Sequence, residues 1–169
     1  HRFSVKERDT RDPHFLVFKD RLFVYAGTWW SGPTTLPRDQ YDMNKHLGYA
    51  VSSDDGTKWS EPTMLEGTFG HYIWRAATHD GKAYLCGRRK ADFAVSVMGE
   101  RGHNQSIMLE SDDGIIFRHR AYFQETGGNE TAFFFEKDGS VLALDRNAGG
   151  NSMLCSSKPP YTDWIRRPL

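Results

Sequence analysis

The chain has 169 residues, enough for one ordinary domain with a sizeable core. Its 22 basic and 22 acidic residues cancel, so no global field favours nucleic acid or an anionic membrane, and neither is an expected partner. An aromatic fraction of 14% with Gly 16 and Pro 7 suits short strands and turns rather than helices, and no apolar run approaches the roughly 20 residues of a membrane span.

In chain order, the first predicted element is a hairpin, FLVFKDRLFVYAG at 15–27, with Lys19-Asp20 as its tight turn. A short apolar run, Gly48-Tyr-Ala-Val51, then leads into the polar turn SSDDGTKW at 52–59. The second hairpin, WRAATHDGKAYLCGR at 74–88, turns at Asp80-Gly81. It is followed by Ser106-Ile-Met-Leu109 and a near copy of the polar turn, ESDDGIIF at 110–117. The third hairpin, TAFFFEKDGSVLALDR at 131–146, turns at Asp138-Gly139. After it come SMLCSS at 152–157 and KPPYTDW at 158–164, where the acidic turn is lost.

The same order recurs three times: strand, tight turn, strand, variable loop, strand, polar turn, strand. A unit of about fifty residues with four antiparallel strands is a propeller blade. The expected fold is therefore all-β, a β-propeller of four-stranded antiparallel blades, three of them in this chain. The whole of 1–169 reads as a single partial propeller domain, with blades at approximately 14–66, 73–123 and 131–167. No segment holds a helical i, i+3, i+4 apolar stripe across about ten residues, which disfavours helical repeats. Three blades cannot close a ring, since propellers have roughly 4–8. The remaining blades are expected from the same longer chain, the preferred reading, or from a second copy completing a six-bladed ring. The sequence opens on His1-Arg-Phe-Ser, neither an initiator Met nor a signal peptide, which fits a processed or trimmed chain.

A meander of this kind places the hairpin turns and the polar turns at one end of each blade. The other end collects Arg11-Asp12-Pro13, His71-Tyr-Ile-Trp-Arg75, Gly127-Gly-Asn-Glu130, Arg88-Arg-Lys90 and Asp145-Arg146 near the ring axis. Charge gathered there is costly unless partners or a ligand compensate it. Arginines at one end suit bidentate binding of a carboxylate. The plainer reading is ion pairing between blades, such as Glu130 with Arg146 or Arg75.

The pattern Ser-x-Asp-x-Gly-x-x-Trp resembles the Asp box of sialidases and related propellers. Ser52, Asp54, Gly56 and Trp59 match it at every position, and Glu110, Asp112, Gly114 and Phe117 match with two substitutions. The expected role is structural, with the carboxylate accepting turn N–H groups, Gly at positive φ and the aromatic packed beneath. The resemblance also implies a sialidase-like exo-glycosidase acting on a terminal, anionic sugar of a glycan. It places Arg11 and Arg146 on the substrate anion, with Arg75, Arg88 and Asp12 as further binding candidates. Glu130 then stands beside a tyrosine nucleophile, and Asp42, preferred over Asp39, is the acid/base in the 29–46 loop. The family opens its first blade with Arg-Ile-Pro where this chain has Arg-Asp-Pro. The family's third arginine and its tyrosine have no match here.

Two other readings stand beside it. Arg11-Asp12-Pro13-His14 also resembles the Asp-Pro start of furanoside- and mannoside-processing propeller glycosidases, with Asp12 and Glu130 as the catalytic carboxylates. A non-catalytic glycan-binding propeller would use Trp29, Trp30, Tyr41, Tyr72 and Trp74 to stack on sugar. No cofactor and no metal are expected, because the seven histidines are scattered without ligand spacing. Cys86 and Cys155 lie in apolar runs and read as small buried hydrophobes. The expected setting is extracytoplasmic or secreted.

Overall fold

A computed structural model describes residues 2–33, 45–91, 104–147 and 150–169. Among these, twelve strands form three four-stranded antiparallel sheets, and no described residue lies in an α-helix. The first sheet holds β1 (Arg8–Phe18), β2 (Arg21–Trp30), β3 (Leu47–Ser53) and β4 (Thr63–Met64). The second holds β5 (Tyr72–His79), β6 (Lys82–Lys90), β7 (Asn104–Ser111) and β8 (Arg118–Gln124). The third holds β9 (Thr131–Phe135), β10 (Val141–Asp145), β11 (Met153–Ser157) and β12 (Trp164–Pro168). Each sheet keeps its strands in chain order, the meander of a propeller blade. No helix among the described residues is long and apolar enough to cross a membrane.

Local chemistry explains the turns. Lys19 and Asp20 have φ of 49° and 60°, and Asp80 and Gly81 have 46° and 70°, the left-handed pair that a two-residue hairpin requires. In the first polar turn, Ser53 Oγ accepts the Gly56 N–H at 2.8 Å, and Asp55 Oδ1 accepts the N–H groups of Thr57 and Lys58, each at 2.8 Å. Ser111 and Asp113 repeat this with Gly114, Ile115 and Ile116. Gly56 and Gly114 take the expected positive φ.

The carboxylate that builds each turn is thus Asp55 or Asp113, not the motif-matched Asp54 or Asp112. An Asp reaches the N–H groups two and three residues ahead, and only the residue just before the glycine has them in range. Asp54 instead pairs with Arg21 across the blade end at 2.7 Å, while Asp112 pairs with Lys82 and Arg118. These bonds place the hairpin turns and polar turns of the first two blades at one end.

Two apolar layers hold the blades together. Phe18, Phe23 and Tyr25 of the first sheet, with Leu65 just after β4, pack on Ile73, Leu85 and Ile107 of the second and on Phe117 just before β8. Tyr84, Met108 and Phe123 of the second pack on Phe133, Val141 and Cys155 of the third. Both cysteines are buried and free, as expected of small hydrophobes. Tyr25 also donates to the Gly114 carbonyl at 2.9 Å, tying the first blade to the second blade's polar turn. At Gly67, with φ of 77°, a Cβ would lie 1.9 Å from the Phe117 carbonyl oxygen, so no side chain fits that crossing. The faces of the first and third sheets that point away from the stack carry exposed Phe15 and Val17, and Phe134, Leu144 and Ile165.

Candidate functional site

The innermost strands β1, β5 and β9 lie side by side, and a groove runs across them at the end opposite the turns. Two irregularities shape it. β1 loses register against β2 between Arg11 and His14, with Asp12 at φ 50° before Pro13. β5 loses register against β6 between Ile73 and Arg75, which makes Trp74 the extra residue. Bulges of this kind re-aim side chains, and here they turn Asp12 and Trp74 into the groove.

One part of the groove, about 350 Å³, is lined by Asp12, Pro13, His14, Trp74, Arg75 and Glu130. The adjoining part, about 300 Å³, shares Trp74, Arg75 and Glu130 and adds Leu144, Arg146 and Ser152. Asp12 Oδ2 accepts a 2.6 Å hydrogen bond from the Tyr72 hydroxyl. Arg146 donates to Glu130 Oε2 at 2.6 Å, and the backbone repeats the tie through Arg146 N–H to the Glu130 carbonyl at 2.9 Å. This pair raises the Arg146 pKa, first through the hydrogen bond and then through charge. Both side chains are at least half exposed, so the pair adds little stability and is open to a ligand.

Beneath the groove, Arg88 donates to Asn129 Oδ1 at 2.7 Å and lies over the Tyr72 ring at 5.9 Å. Burial lowers its pKa, partly offset by Glu130 and Tyr72. Asn129 is gripped a second time where its N–H donates to the buried Asp145 at 3.0 Å. Burial likewise lowers the His14 pKa, helped by the nearby Arg75 guanidinium.

Of the residues expected from sequence, the groove brings together Asp12, Arg75, Glu130 and Arg146. Arg88 supports them from below through Asn129. Arg11 does not line the groove: its guanidinium binds Asp9 at 2.6 Å and lies over Trp29 at 5.9 Å. Asp39, Asp42 and Tyr41 lie outside the described residues. Asn129 and Asp145 fall in stretches expected at this end, but the bonds by which they support the site are not legible in the sequence. Asp145 is placed by pairing with Thr131 across β9 and β10, a relationship that only the register reveals. Among the described residues no three His, Cys, Asp or Glu side chains are grouped to hold a metal.

Three four-stranded meanders packed around an axial groove define part of a β-propeller. No family model matches the chain, and no curated protein is similar to it in sequence. Solved structures do resemble it. The Hadza microbial sialidase Hz136 superposes with a TM-score of 0.70 at 15% identity, covering 95% of this chain and 34% of that chain. Zg3597, a family 117 glycoside hydrolase from the marine bacterium Zobellia galactanivorans, gives 0.68 at 13%, covering 96% and 56%. Trypanosoma rangeli sialidase in complex with 2,3-difluorosialic acid gives 0.62 at 15%, covering 93% and 27%. The chain therefore spans about a third of the first structure's length and about half of the second's. The shared property is the propeller fold.

Proposed function

We propose that the axial groove is the sugar site of a propeller glycoside hydrolase. The observation that carries this reading is that Asp12 and Glu130 line one groove together with Trp74 and Arg75. Most glycoside hydrolases need such a pair, one group protonating the leaving oxygen and the other activating water or attacking the sugar carbon. The propeller glycosidases among the structural neighbours are consistent with it. The test is a panel of aryl glycosides with the 169-residue chain. Asp12→Asn and Glu130→Gln should each lower turnover by about 100-fold or more while sugar binding persists. Unchanged turnover in both variants overturns the reading, and so does a chain that binds no sugar.

A sialidase-like reading is favoured by Arg75 and Arg146, which line the groove with Glu130 and suit a sugar carboxylate. In it Glu130 stands beside the nucleophile, Arg146 and Arg11 hold the anion, and Asp42, or Asp39, donates the proton. Arg11 must exchange Asp9 for the substrate in this scheme. Tighter binding of a sialoside than of a neutral glycoside, weakening with salt, supports it; equal binding removes it.

The two uncovered apolar blade faces suit further blades of a ring, in keeping with one partial propeller over 1–169 and blades at approximately 14–66, 73–123 and 131–167. Those blades belong to the same longer chain or to a second copy. Sedimentation of the 169-residue chain separates the two, since a stable dimer requires the second copy.

A further inference from the structure

We infer that Trp74 is the stacking platform of the groove, which makes it a subsite for a pyranose ring; this rests on the groove being a sugar site. Trp74 is the bulged residue of β5 and lines both parts of the groove. Asp12 and His14 line one part of the groove with it, Arg146 lines the other, and Glu130 lines both. Its indole N–H donates to the Thr131 carbonyl at 3.0 Å, and its ring packs against Tyr72 at 5.9 Å, tilted by 40°. One flank rests on the apolar layer between the second and third blades. The indole is thus fixed before any ligand arrives, so binding over it loses little side-chain entropy.

An indole held in this way, in a groove also lined by carboxylates and guanidinium groups, suits a pyranose ring. A pyranose chair offers a flat apolar C–H face to the indole and directs its equatorial hydroxyls outward to polar groups at the rim. A furanose ring is smaller and puckered and covers the indole less well. Other aromatics considered from sequence are placed differently. Tyr72 is buried with its hydroxyl on Asp12, and Trp29 packs against His46 and Tyr72 with Arg11 over its ring.

The test is titration of the 169-residue chain, and of its Glu130→Gln variant, with methyl β-xylopyranoside, methyl α-arabinofuranoside and the methyl glycoside of N-acetylneuraminic acid. The indole N–H resonances are followed by NMR, with the Trp74 signal assigned by its loss in Trp74→Phe. The Trp74 resonance should shift with a pyranoside. Trp74→Phe should keep most of the affinity, and Trp74→Leu, which retains apolar bulk without a flat face, should lose about tenfold. A pyranoside that binds without moving the Trp74 signal, or equally well to Trp74→Leu, overturns the platform and leaves the groove as a sugar site. Preference for the furanoside overturns the pyranose assignment. No binding of any glycoside to either protein overturns both the platform and the sugar site.

Discussion

The Tyr72 hydroxyl donates a 2.6 Å hydrogen bond to Asp12 Oδ2, so the bulge of one blade's inner strand is held by the next blade's inner strand. The donor lies two residues before the second bulge at Trp74, and the two irregularities are mechanically joined. Asp12 at positive φ needs such an anchor, because a non-glycine residue there is strained. Removing the donor with Tyr72→Phe should lower stability by about 1 kcal/mol, measured by urea unfolding. Asp12→Asn keeps an acceptor and should cost less.

The polar turns should separate stability from ligand binding. Asp55→Ala and Asp113→Ala each remove the acceptor of two turn N–H groups and should lower the melting temperature more than Asp54→Ala does. Asp54→Ala removes only an exposed pair with Arg21 and should cost at most about 0.5 kcal/mol. Sugar affinity should change in none of them, because these turns lie at the far end of the blades. Thermal melts and titrations on the same preparations check both statements.

Acid should unfold the protein through two histidines before most carboxylates respond. Burial, with Arg88 and Arg8 adding to it, lowers the His46 pKa to about 3; burial and Arg89 lower His71 to about 4. Both folded values lie below the usual 6.5, so between those limits the unfolded chain binds more protons. Stability is then full above about pH 6.5 and falls as pH drops toward 4, by on the order of 2 kcal/mol per histidine. His46→Phe should flatten this limb in unfolding midpoints recorded from pH 7 to 4.

Asp145 should act with the opposite sign. Its side chain is buried and one carboxyl oxygen has no hydrogen-bond partner; burial raises its pKa to about 6, opposed by the Asn129 N–H and Thr131. A raised carboxyl pKa contributes stability that is full below about pH 4 and lost as pH rises through 6. The stability of Asp145→Asn relative to the parent should therefore rise by about 2 kcal/mol between pH 4 and pH 8. Denaturant titrations at the two pH values give this difference directly.

The strands, the hairpin turns and the three-fold repeat were legible in the sequence because each depends on neighbours within a few residues. Alternating aromatic and β-branched residues choose the pleat, and Lys19-Asp20, Asp80-Gly81 and the polar turns choose where it reverses. The gathering of Asp12, Arg75, Glu130 and Arg146 at one end was also legible, since strand order alone sends those positions to the axis. Pairing within the site was not. Arg11 and Arg146 are both expected at the same end of the blades, yet one closes on Asp9 and the other on Glu130. That choice depends on where β1 bulges and on which blade packs beside it. Asp55 rather than Asp54 builds its turn for a similar reason, a shift of one residue that a motif tolerates and hydrogen-bond geometry does not. Local periodicity specifies the backbone path; the direction of each charged side chain is decided by bulges and by the neighbouring blade, through contacts between residues distant in sequence.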